Sequence, residues 1–176
     1  MNTDRQTKNA LIIVILAFVL QFLVAPWAHI DLGTAHFLVI LVLPFIMLTS
    51  SVTRLALPFF AGLLFNLLFG GVVGSFSLVF TLFSVLIARI VDTLDAHVPL
   101  TACIALALGT FLIEFFLGLI QYMVLHSSDF SQAFLHIILP SWGINFVLAL
   151  VAYFILARIL SHRNAQKTPS SVVNVR

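Results

Sequence analysis

Between Arg54 and Arg89 the chain carries no charged side chain. The stretch LALPFFAGLLFNLLFGGVVGSFSLVFTLFSVLIAR, from Leu55 to Arg89, holds two apolar runs hinged at Gly70-Gly71, with one amide, Asn66, inside the first. A water-soluble helix needs a solvent face and breaks its apolar run with polar residues every turn. This stretch has no such face, so lipid or other apolar helices must surround it. The first arm (Leu55–Phe69) is barely long enough to cross a bilayer, and the second (Val72–Ile90) is comfortably so. The expectation is a tight transmembrane hairpin about which the rest of the chain is organised.

Composition excludes the soluble alternative. The chain is 62% hydrophobic and 8% charged, where soluble domains carry about 25% charged residues. A formal net charge of +2 is no signature of nucleic-acid binding. The single cysteine, Cys103, rules out an internal disulfide and reads as a small residue buried or facing lipid.

Further apolar runs flank the hairpin. Ala10–Trp27 ends in Pro26-Trp27, as an interfacial helix end would. Its basic start resembles that of a signal peptide, but LVAPWAH lacks the small residues of a cleavage site, so a retained helix is expected. Phe37–Val52 is a second helix, bent or thinned at Pro44. Leu100–Leu125 is long and carries Glu114. Pro140 can open a last helix through Ser141 to Leu160, with Ala133–Leu139 leading into it along the interface. Residues 1–160 therefore read as one all-α integral membrane domain of six transmembrane helices. The polar segment Ser161–Arg176 reads as a disordered cytoplasmic tail.

The basic residues orient this plan. Arg5, Lys8, Arg54, Arg89, Arg158, Arg163, Lys167 and Arg176 sit at every second helix end. The opposite connections, Ala28–His36, Gly70–Gly74 and His126–Gln132, contain no Lys or Arg. The positive-inside rule then places both termini in the cytoplasm.

Glu114 is the sharpest candidate for chemistry, because a carboxylate near mid-helix costs at least a few kcal/mol in hydrocarbon. Thr110, Gly118 and Gln121 share its helix face. Ser141, Asn145, Ala149 and Ala152 form a second stripe, and Gln21 and Asn66 add one amide each to two further helices. These groups could converge on one centre, as a ligand site or as interhelical glue; glue is the preferred reading. Gly70 and Gly74 match a small-x-x-x-small spacing, but turn geometry explains them better. No enzyme motif is present, so no catalytic residue, metal or cofactor is assigned. His126, Asp129 and His136 around one outer loop read as solvated rather than as a metal site. Arg89, Asp92 and Asp95 read as a hydrated interfacial group.

Phe60–Leu78 (FAGLLFNLLFGGVVGSFSL) resembles the central motif of the rod shape-determining protein MreD family, an apolar G-L-L-x-D-L-L-x-G-x-x-x-G pattern. Leu139–Leu160 (LPSWGINFVLALVAYFILARIL) is similar to that family's closing helix. The resemblance implies a non-catalytic, multi-pass subunit of the cell-elongation machinery in the bacterial inner membrane. Its direct partner would be an MreC-like membrane protein, and through it MreB filaments, RodA and a class B penicillin-binding protein. The short first arm, with Pro58 in its first turn, would present Phe60, Leu64 and Leu68 to that partner. Asn66 departs from the family pattern, which has an acidic residue there, so any charge-dependent role is lost or passes to Glu114. The substrate-binding subunits of energy-coupling-factor vitamin transporters are similar in size and helix plan. Many of them carry Ala-x-x-x-Ala to dock their coupling subunit, and no such spacing occurs in this chain.

Overall fold

A computed structural model describes residues 3–24, 35–49, 53–70, 72–94, 99–125 and 130–165. All regular structure among them is helical: α1 (Thr3–Leu23), α2 (Phe37–Leu48), α3 (Thr53–Phe69), α4 (Ser75–Thr93), α5 (Pro99–Leu125), α6 (Phe130–Ala133) and α7 (Leu139–Ala165). A wide π turn, Phe134–Ile138, joins α6 to α7. Four helical stretches are long and apolar enough to cross a membrane: Gln6–Leu23, Ser75–Thr93, Pro99–Val124 and Phe130–Leu160. Phe37–Leu48 and Arg54–Phe69 are apolar but shorter.

The element at the centre is α2, not the hairpin. It packs against α1, α3, α4, α5 and α7, and Leu38, Val39, Val42, Leu43 and Ile46 are wholly buried. A helix that is apolar on every side can satisfy all its faces only by being enclosed. It is also shorter than expected, ending at Leu48, with Thr49 in an extended conformation (φ −119°, ψ 145°). The Arg54 Nε–H donates to the Thr49 carbonyl, so a side chain from α3 satisfies the end of α2. The same guanidinium pairs with Asp92, which lies within α4; Asp95 lies outside the described residues.

The hairpin turns as expected but later. Gly70 and Gly74 both adopt left-handed backbone (φ 80° and 86°), a conformation that favours glycine. Gly74 caps α4, which therefore starts at Ser75 and not at Val72; Gly71 lies outside the described residues. Helix α3 begins at Thr53, so Pro58 falls past its first turn and leaves the Arg54 carbonyl without an in-helix donor. The arms touch at backbone distance: a Cβ on Gly62 would lie 2.6 Å from Ser77 Cα. Ser77 Oγ closes the contact by donating to the Phe59 carbonyl at 2.8 Å.

Ala133–Leu139, expected as a lead-in along the interface, is helical and runs directly into α7. The Leu139 N–H reaches back to the Phe134 carbonyl, an i→i−5 bond. That widening one turn ahead of Pro140 makes room for a ring that would clash with the carbonyl four residues back. At its far end α7 continues through Ala165, into the segment expected to be disordered. Residues 166–176 lie outside the described residues.

Candidate functional site

A helix that begins inside a bundle must find acceptors for its first N–H groups away from water. The residues at the start of α2, Ala35-His36-Phe37, offer no side-chain cap, so the other helices supply it. Gln21 of α1 accepts the Phe37 N–H on Oε1 at 2.9 Å, and its Nε2 donates to the Ala35 carbonyl at 3.3 Å. Asn145 of α7 accepts the His36 N–H on Oδ1 at 2.9 Å. The Asn145 amide also donates from Nδ2 to Glu114 Oε1 of α5 at 2.6 Å. His36 Nδ1 meets the same carboxyl oxygen at 2.8 Å.

Three of the four anticipated amide and acid side chains, Gln21, Glu114 and Asn145, thus converge on the start of α2. Asn145 is fully buried and Glu114 nearly so. The positive end of a helix dipole favours an anion, and here Glu114 is the group that takes that place. The arrangement is closed: each of these side chains is bonded to another or to the α2 backbone. It joins four parts of the chain, namely α1, the start of α2, α5 and α7.

Asn66 does not join them. Its Oδ1 accepts the N–H of Phe76, the second residue of α4, at 3.0 Å, so it caps α4 from across the hairpin. That role needs an oxygen acceptor and not a charge, which explains how an amide can stand where the family pattern has an acid. Aromatic rings link this cap to the junction. The Phe65 and Phe76 rings stack at 4.4 Å, and both meet the His36 ring edge-on at about 6 Å.

The rest of the Glu114 stripe disperses. Thr110 Oγ1 turns back to its own helix, on the Leu106 carbonyl at 2.7 Å. Gly118 lets Ile138 of the π turn press against α5. Gln121, expected in the packing centre, is exposed. It shares the face of Glu114 but lies beyond Gly118.

His36, which ends the connection Ala28–His36, is the member that no motif or helix face marks. The available signal was indirect. A helix apolar all round is buried at both ends, and one with no local cap must draw its caps, and any ionisable group at its start, into the interior.

Phe60, Leu64 and Leu68 are 61%, 47% and 55% exposed, so they form an outward ridge on α3. A groove of about 270 Å³ between α1 and α3 runs past Phe60 and Leu64. A second, of about 500 Å³, lies between α3 and α4 along Phe59, Leu63, Ser77 and Thr81. His136 is exposed on the π turn, while His126 and Asp129 lie outside the described residues. Among the described residues no group of three His, Cys, Asp or Glu is placed to hold a metal ion.

Among known families, the model for the rod shape-determining protein MreD aligns with residues 5–163. No curated protein and no solved structure matches the chain.

Proposed function

Because the chain belongs to the MreD family, whose role is in rod-shape determination, we propose that it serves as a non-catalytic subunit of the rod-shape machinery. In this reading it sits in the inner membrane and binds the single helix of an MreC-like protein. Through that partner it helps couple MreB filaments to peptidoglycan synthesis by RodA and a class B penicillin-binding protein. The observation that carries the reading is the family match over nearly the whole chain, on a bundle with four helical stretches able to span a membrane.

The proposed topology counts α2 and α3 as spans too, giving six, with both termini cytoplasmic. Their shortness is then accommodated in two ways. Helix α2, about 18 Å long at 1.5 Å per residue, is shielded by protein on all sides. Helix α3, about 26 Å long, falls a few Å short of the roughly 30 Å hydrocarbon core, and its outer face meets a thinned bilayer or a partner. With Cys103→Ala as background, cysteines at Asp31, Val73 and Ser128 should react with an impermeant thiol reagent on intact cells, and those at Asp95 and Asn164 should not. Labelling at Asp95 would refute this topology.

The partner surface is placed on the exposed ridge of α3. Photo-crosslinkers at Phe60, Leu64 and Leu68 should capture the MreC-like helix several-fold more often than crosslinkers on α2, which protein encloses. Equal capture, or none, would move the interface to another face.

A further inference from the structure

The junction at the start of α2 holds two ionisable groups in direct contact, and nothing proposed above uses their proton. We propose that His36 and Glu114 form a proton-loaded latch that pins the start of α2 to α5 and α7 and loosens when the proton is lost. The geometry supports it. Nδ1 and Oε1 stand 2.8 Å apart, so one proton between them leaves the pair neutral whichever atom carries it. Without that proton, Glu114 is an uncompensated carboxylate in an apolar bundle, an expensive state.

Among the described residues, the groups facing the pair offer no substitute. They are the Asn145 amide from α7 and the rings of Phe65 from α3 and Phe76 from α4. Gln21 of α1 holds the backbone on both sides of His36, and Thr110 of α5 is turned onto its own helix. None of them gains or loses a proton near neutral pH. The same Asn145 amide holds the His36 N–H and the Glu114 carboxyl, so a change at the pair reaches the start of α2 directly. On the topology proposed above this end faces outward, and the latch would read the pH outside the cytoplasm.

Thermal melts of the full chain in lipid nanodiscs between pH 5 and 9 test the proposal. The wild type should lose about 3–6 °C as pH rises through and beyond about 6.5. There an unfolded histidine gives up its proton while the folded pair keeps it. The folded state then binds more protons than the unfolded one, so stability falls with rising pH. Glu114→Gln should reverse the slope, because an uncompensated buried imidazole stays neutral while the unfolded ring charges at acid pH. His36→Gln removes the imidazole, so its profile should show no onset near pH 6.5. Histidines elsewhere in the chain contribute equally to all three profiles. Parallel profiles for the three proteins would overturn the latch. Each variant is judged against the wild type by itself, so one that folds is enough to decide.

Discussion

Glu114→Leu should lower the melting temperature of the protein at neutral pH by roughly 5–10 °C, whereas Glu114→Gln should be mild. One carboxyl oxygen accepts from Asn145 at 2.6 Å and contacts His36 at 2.8 Å. Leucine removes both interactions and leaves the Asn145 amide and the imidazole facing an apolar side chain. Interhelical hydrogen bonds in membranes contribute about 1–2 kcal/mol each in model systems, so the pair is worth about 2–4 kcal/mol. For a chain of this size each kcal/mol moves the midpoint by about 2–4 °C. Glutamine keeps an acceptor at the same position and can still receive both donors. The variants therefore separate bonding from charge. A Glu114→Gln protein that is stable at neutral pH yet fails to restore rod shape in a depleted strain would show that the carboxyl does more than hold helices together. A Glu114→Leu protein as stable as the wild type would show that the junction does not carry the bundle.

Some of this arrangement was legible in the sequence because hydrocarbon makes polar groups expensive. Gln21, Glu114 and Asn145 stood out as costly residues in apolar helices, and three such groups on three helices meet most economically at one point. Gly70 and Gly74 were legible for a different reason, since a reversal between two apolar arms needs backbone that glycine adopts readily. The place of α2 was not legible. Its residues are more apolar than those of α3 or α5, with no polar side chain from Phe37 to Leu48, but which helices enclose it depends on which are neighbours. Asn66 illustrates the same gap. An amide inside an apolar helix announces that it has a partner but not which one, and the partner proved to be a backbone N–H ten residues along the chain. His36 carried no periodic signal, because a residue just before a helix belongs to no face.

Gly62 is the other position where a small change should have a large effect, and again nothing local marks it. It lies beside Ala61 in the run Phe60–Leu64, yet an added Cβ would lie 2.6 Å from Ser77 Cα, 2.9 Å from Ser77 N and 3.3 Å from the Phe76 carbonyl carbon. These are backbone atoms of α4, so no rotamer change relieves the clash and the two arms must separate. Overpacking of this kind typically costs about 1–3 kcal/mol. Separation would also stretch two bonds that tie the arms together, Ser77 Oγ to the Phe59 carbonyl and the Phe76 N–H to Asn66. Gly62→Ala should therefore lose about 2–4 kcal/mol, or roughly 5–10 °C, despite the higher helix propensity of alanine. Gly143 in α7 is the control. Nothing lies within 4 Å of a Cβ built there, so Gly143→Ala should leave stability unchanged or raise it by up to about 1 kcal/mol. Melting curves of the two variants, side by side in the same lipid, read the difference. If Gly62→Ala melted with the wild type, α3 and α4 would not be in backbone contact. The exposed ridge of Phe60, Leu64 and Leu68 would then lose the rigid support on which its use as a docking surface depends.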